Sequence, residues 1–217
     1  MAGSRESEME NRKSTSTAHG ARAVNALLGD IRACRICEAH LPHGPRPVLQ
    51  ASATSRLLIV SQAPGRKVHE SGIPFNDVSG DRLREWLGID KPTFYDASRI
   101  AIVPMGFCFP GSGKGGDLPP RPECAPTWHP RLLPLLTRVQ LTLAIGQYAQ
   151  NGLLEIPRGT KLTDTVRDWR KHLERGVLPL PHPSPRNRPW VMNNPWFESE
   201  LLPVLRERVA AALRAAD

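Results

Sequence analysis

Short apolar runs alternate along the chain with longer segments in which apolar residues recur at helical spacing. Four runs have the length and composition of buried strands, at 56–60, 100–103, 141–145 and 177–180. Helical spacing marks five segments: 21–37, 79–88, 125–136, 163–173 and a last one from 194 onward. Because the strand runs are apolar on both faces, the pattern predicts an α/β fold: a three-layer α/β/α sandwich around a central four-stranded, mainly parallel sheet.

Residues with special backbone preferences mark the ends of these elements. Ser79 is placed to cap the helix that Gly88 ends. Asn194 and Pro195 are the expected cap and first residue of the last helix, which Pro203 should kink.

Composition then sets the domain organisation. Residues 1–20 are rich in Ser, Glu, Arg and Thr and lack an apolar segment, so we expect a disordered tail followed by one domain over 21–217. No apolar run approaches the ~20 residues of a membrane span. We therefore expect a cytoplasmic monomer without membrane contact, whose four cysteines are metal ligands or free thiols rather than disulfides. The net charge of +8 suits a nucleic-acid partner, although it equally fits a merely basic surface.

Two loops that follow predicted strands carry the candidate chemistry. The loop 182–187 offers an imidazole, a hydroxyl, a guanidinium and an amide, although its prolines also fit a plain structural turn. The loop 61–77 contains a tight Pro64-Gly65 turn, two ionisable candidates, His69 and Asp77, and an aromatic ring, Phe75, that fits either a stacking surface or a core anchor. Since the carboxyl ends of parallel strands share one edge, we expect the two loops to meet there.

The motifs in these loops resemble the uracil-DNA glycosylase superfamily. Gln62–Gly65 behind a strand and Gly72–Phe75 after it are similar to the first motif of families 4 and 5. His182–Asn187 resembles the late motif of the single-strand-selective branch, and the similarity runs from about Cys34 to Leu205. The resemblance implies a DNA repair enzyme that flips uracil, or a related deaminated base, out of DNA and hydrolyses its bond to deoxyribose.

The resemblance also implies roles for individual residues. The catalytic candidates are His182 and Asp77, with His69 as the second choice for the acid's role. The resemblance implies that the base is bound by Gln62, Ala63, Pro64, Gly65 and Phe75. It implies that DNA is bound by Ser184, Pro185, Arg186 and Asn187.

The chain departs from the family pattern at two positions. Pro104 stands where the family often has an asparagine that reads the uracil edge, and Gln62 replaces the family 4 glutamate. Asp77 resembles the family 5 acid, with one residue fewer after Phe75. Two alternatives to an enzyme stay open: a non-catalytic protein that binds damaged or single-stranded DNA on the same scaffold, and an RNA- or nucleotide-binding module.

The cysteines extend the resemblance. Cys34 and Cys37, followed by Cys108 and Cys124, are similar to the spacing that holds a 4Fe–4S cluster in families 4 and 5. Four thiolates also suit structural zinc, and unligated core cysteines are the third possibility.

The glycine-rich segment 111–116 does not match a phosphate-binding loop. Cys108 stands where that motif needs its first glycine, and Gly115 replaces the Ser or Thr after Lys114. We expect instead a flexible basic loop near DNA.

Overall fold

A computed structural model describes residues 19–214. Its strands are β1 (Leu57–Val60), β2 (Ile100–Ile102), β3 (Ser112–Gly113), β4 (Gly116–Asp117), β5 (Leu141–Ile145) and β6 (Val177–Leu180). Four of them form the central sheet in the order β2–β1–β5–β6, and each neighbouring pair is parallel. The predicted fold class is confirmed.

Helices cover both faces of this sheet. They are α1 (19–32), α2 (Arg66–Ser71), α3 (Val78–Leu87), α4 (Lys91–Tyr95), α5 (Cys124–Leu132), α6 (Gly146–Leu153), α7 (Leu162–Arg167), α8 (Trp169–Leu173), α9 (Arg188–Met192) and α10 (Leu202–Arg214). In the part of the chain that the structure covers, none of the helices is both long and apolar enough to cross a bilayer. The predicted tail, 1–20, lies outside the described residues except for its last two, which belong to α1.

The sheet separates two hydrophobic layers, because successive side chains of a strand point to opposite faces. Leu57 and Ile59 of β1 pack on one side against apolar residues of α3, α4 and α10. Leu58 and Val60 pack on the other side against α1 and α5. Burial on both faces explains why the strands read as continuous apolar runs.

Several helix ends differ from the predictions. Asp77, not Ser79, caps α3: its carboxylate accepts a hydrogen bond from Gly80 N at 2.9 Å, whereas Ser79 already lies inside the helix. Gly88 ends α3 in the left-handed conformation, as predicted. The expected helix 163–173 is two helices, α7 and α8, which Asp168 separates.

The last helix also begins differently from the prediction. Asn194 does not cap it but donates from its side chain to Trp190 O at 2.7 Å. A π-helical segment, Phe197–Leu201, precedes α10. Pro203, which has no N–H to donate, is the second residue of α10, just after this widened turn.

Candidate active site

The carboxyl ends of the parallel strands open onto a cavity of about 450 Å³. Its wall is built by the loop after β1, the end of β2 and the loop after β6, as expected for a parallel α/β sheet. The predicted site residues that line it are Gln62, Ala63, Pro64, Gly65, Phe75, Asp77, His182, Ser184, Arg186 and Asn187. The structure therefore brings together the two loops that are more than a hundred residues apart.

The ring of Phe75 is held in the cavity wall by an unusual backbone. Its φ is +54°, a left-handed conformation that costs a bulky residue about 1–3 kcal/mol. The Phe75 carbonyl accepts a hydrogen bond from the Tyr95 hydroxyl at 3.3 Å and a longer one from the Arg84 guanidinium at 3.5 Å. The ring meets Phe94 edge-on, with 6.1 Å between centroids. These contacts fix one orientation of the ring.

His182 lies two residues beyond the end of β6, and its ring is oriented by its own loop. Its Nδ1 accepts from Ser184 N at 3.2 Å, so the neutral ring carries its proton on Nε2. Asn187 Nδ2 donates to His182 O at 2.8 Å and fixes the turn. Burial lowers the pKa of His182, against the opposing charges of Asp77 and Asp117. Near neutral pH the residue is thus a neutral hydrogen-bond donor.

Asp77 presents a carboxylate to the same cavity from the start of α3. One oxygen, Oδ1, is used by the cap to Gly80 N. The carboxylate therefore lies at the N-terminus of α3, where the helix dipole favours a negative charge. A neutral imidazole and an anionic carboxylate therefore share one cavity.

Several cavity residues are not among the predicted site residues, and two of them, Gly115 and Asp117, come from an unexpected element. The segment 111–116, expected to be a flexible loop, forms the antiparallel β3–β4 hairpin, in which Ser112 pairs with Asp117. Gly115 and Asp117 line the cavity. The only signal in the sequence was a two-residue turn containing glycine between two very short strands.

Two predicted site residues lie elsewhere. His69 is on α2, where its neighbour Val68 lines the cavity, and the His69 ring packs instead near His43 and Phe109. Its Nδ1 is buried without a hydrogen-bond partner. Burial, with Arg46 next in effect, lowers the pKa of His69. Pro185 lies outside the cavity wall, as the first residue of a short 3-10 turn.

A family model described as the uracil DNA glycosylase superfamily matches residues 49–206, which is most of the chain. The chain belongs to the uracil DNA glycosylase superfamily. The matched range contains the whole central sheet and all of the residues that line the cavity except Val48.

Pro104 lines the cavity of this superfamily member at the end of β2. Its carbonyl lies 3.0 Å from His129 Nε2, and the pKa of His129 is lowered by burial. The side chain itself has no polar atom. Base-edge recognition at this wall cannot use the asparagine amide that the family resemblance would suggest.

The four cysteines line a second, small pocket. Cys34 and Cys37 follow α1, Cys108 lies in the loop after β2, and Cys124 begins α5. All four are free thiols, and Phe107 N donates to Cys124 Sγ at 3.3 Å. Over the described residues no group of three or more His, Cys, Asp or Glu side chains is arranged to hold one metal ion. Four thiols around one pocket are a donor set that suits either an iron–sulfur cluster or a structural zinc ion.

Burial makes these thiols hard to ionise on their own. It raises the pKa of Cys108 to about 11 and that of Cys124 to about 12. Burial and the neighbouring Cys34 also raise the pKa of Cys37. Clustered thiolates in such a pocket need a cationic centre, so the donor set is suited to a bound metal group.

Proposed function

We propose that this superfamily member is a DNA glycosylase that hydrolyses the N-glycosidic bond of uracil, or of a related deaminated base, in DNA. The observation that carries the proposal is the joint placement of His182, Asp77 and the Phe75 ring around one cavity. An enzyme that acts on a base must first take it out of the helix, so a cavity with a flat aromatic wall is the receptor such a reaction needs.

The first part of the proposed reaction is capture of the base. The flipped base stacks on Phe75, while the loop Gln62–Gly65 contacts its edge. Two backbone bonds fix the start of this loop: Met105 N donates to Ser61 O at 2.8 Å and Gly106 N donates to Gln62 O at 2.9 Å. Because the loop is already ordered, binding of the base does not carry the entropic cost of ordering the loop.

The second part is stabilisation of the charges that develop as the bond breaks. Negative charge builds on the base, and His182 donates its Nε2–H to a base oxygen. Positive charge builds on the sugar, and the anionic Asp77 stabilises it. A neutral imidazole and an ionised carboxylate are the protonation states that this division of roles requires.

DNA is the proposed partner, and the loop after β6 is proposed to bind it. Ser184 contacts a phosphate with Asn187 beside it, while Pro185 and Arg186 enter the gap left by the flipped base. The net charge of +8 favours a polyanion and makes binding dependent on salt.

We further propose that Cys34, Cys37, Cys108 and Cys124 hold a 4Fe–4S cluster. When bound, the cluster supplies a crosslink between the segment after α1 and the loop after β2. The loop after β2 includes Gly106, which lines the cysteine pocket. Gly106 N donates a hydrogen bond to Gln62 O, and this bond connects the cysteine pocket with the loop after β1 that lines the cavity. Iron and sulfide analysis of anaerobically purified protein should give about four of each per chain. A folded, colourless, metal-free protein would reject the cluster.

The test of the activity is a base-release assay on oligonucleotides that contain uracil, hypoxanthine or xanthine, run beside a binding assay. The proposal expects release of at least one of these bases with the undamaged oligonucleotide left intact. Tight binding of all three without release would support the non-catalytic DNA-binding alternative, which the departures at Gln62 and Pro104 favour.

A further inference from the structure

Gly115 and Asp117 of the β3–β4 hairpin line the cavity, and the hairpin segment is hydrogen-bonded to both site loops. Gln62 Nε2 donates to Leu118 O at 3.3 Å, and Arg186 Nη1 donates to Gly115 O. Gly116 lies so close to the Arg186 guanidinium that a Cβ at this position would collide with it. The hairpin is therefore a fitted part of the cavity and not a detached surface loop.

Asp117 is the acidic residue that the hairpin brings to the cavity. Its Oδ1 accepts from Ser112 Oγ at 3.0 Å. Its Oδ2 lies 3.2 Å from the place that a Cβ on Gly65 would occupy, so a side chain at this turn would crowd the carboxylate. The Asp117 charge also acts on His182, as does that of Asp77. Two carboxylates thus face one imidazole.

The two carboxylates differ in what they are free to do. Asp77 has committed Oδ1 to the N-terminus of α3. Asp117 is held from one side by a hydroxyl, and its Oδ2 points to the Pro64-Gly65 turn, beside which the base and sugar are proposed to lie. We propose that Asp117 is a second catalytic carboxylate, which accepts the proton of the attacking water, while Asp77 stabilises the sugar cation. This inference rests on the proposed function.

The proposed step balances as an ordinary hydrolysis. The water oxygen forms a bond to C1′ of the deoxyribose, and the C1′–N electron pair leaves with the base. One water proton passes to the Asp117 carboxylate and then to solvent. The base anion, stabilised by His182 until it departs, takes a proton from solvent.

The location of Asp117 allows its effect on catalysis to be distinguished from its effect on DNA binding. Its exposed carboxylate lines the cavity together with Arg186, at a wall where DNA phosphates are expected, so its negative charge opposes DNA binding. A purely structural residue would support binding and turnover together. A catalytic carboxylate here lowers DNA affinity while raising the rate of the bound complex.

The test compares Asp117→Asn with the full-length wild-type chain in single-turnover base release and in DNA binding. Asparagine keeps the shape and can still accept from Ser112. We expect unchanged or tighter DNA binding and base release slower by about 100-fold. Glu70→Gln is the matched control, because it removes one exposed carboxylate of α2 outside the cavity wall. It should release base at the wild-type rate.

Asp117→Glu tests whether the slower rate of Asp117→Asn reflects a folding defect or the loss of the carboxylate. It restores the negative charge on a longer side chain. It should recover at least about ten-fold over Asp117→Asn. Equal rates for the Asn and Glu variants, a wild-type rate for Asp117→Asn, or a rate loss wholly explained by weaker binding would each overturn the assignment. If the wild-type chain releases base in that event, the proposed function stands. A wild-type chain that binds DNA and releases no base overturns both.

Discussion

At the scale of single residues, Asp77 combines a structural task with the chemical task proposed for it. Its carboxylate caps α3 and also faces His182 across the cavity. The resemblance to family 5 pointed to the acid but not to the cap, because capping depends on where the helix begins in three dimensions. Ser79 looked equally suitable by residue type.

Substitutions at Asp77 should separate the two tasks. Asp77→Asn keeps an oxygen acceptor for Gly80 N and should retain the wild-type free energy of unfolding to within a few tenths of a kcal/mol. Asp77→Ala removes the cap and should lose about 1 kcal/mol. Urea unfolding of the two variants measures this difference. Equal stability of both variants would show that the cap contributes nothing.

At the scale of elements, α3 approaches the Phe75 backbone more closely than a side chain permits. A Cβ on Gly80 would overlap the Phe75 carbonyl carbon and oxygen. That carbonyl also receives the bonds from Tyr95 and Arg84 that hold the left-handed Phe75. The orientation of the proposed stacking ring therefore depends on a glycine one turn into the next helix.

Gly80→Ala should consequently destabilise the protein by about 3 kcal/mol, the upper range for overpacking. The measurement is thermal or urea unfolding. Gly29→Ala is the control, because Gly29 lies on the exposed face of α1 with no atom near the new Cβ. It should be neutral or stabilising by up to about 1 kcal/mol. Similar effects at the two glycines would contradict the close approach.

The sheet and its edge were predictable because each strand is a short, continuous apolar run followed by a turn. The shared edge then predicts that the loops carrying His182 and Asp77 meet. The β3–β4 hairpin was not predictable, since its strands have two residues each. Its position depends on hydrogen bonds from distant residues: Arg186 donates to Gly115 O, and Gln62 donates to Leu118 O. Local sequence patterns do not predict such long-range bonds.

At the scale of the whole molecule, buried histidines couple stability to pH. Burial lowers the pKa of His129 and of His182 below the ordinary value. The unfolded chain therefore binds more protons than the folded chain as the pH falls below about 6.5. Their contribution to stability is full above that pH and is lost as the pH falls toward their folded-state pKa values.

The free energy of unfolding should accordingly decrease between about pH 7.5 and about pH 5.5. His129→Gln, which keeps a neutral donor for Pro104 O, should flatten the decrease. Urea unfolding across this range measures both effects. A stability that stays constant or rises on acidification in the wild type would contradict the assigned direction.

At the same scale, the cavity and the cysteine pocket are connected through one loop. The cysteine pocket and the cavity share the loop after β2, which carries both Cys108 and Gly106. The proposed chemistry, the proposed DNA contact and the proposed cluster would thus all depend on the carboxyl edge of one parallel sheet. The central claim is that an imidazole and a carboxylate at this edge act on one base–sugar bond.

The most direct test of that claim is single-turnover release of uracil, with hypoxanthine and xanthine in parallel, by the wild-type chain and His182→Ala at saturating protein. Removal of one preorganised donor to a developing anion costs about 100-fold or more in rate. We predict that loss in His182→Ala, with the affinity for the same DNA within about two-fold of wild type. Release by His182→Ala at the wild-type rate would contradict the account.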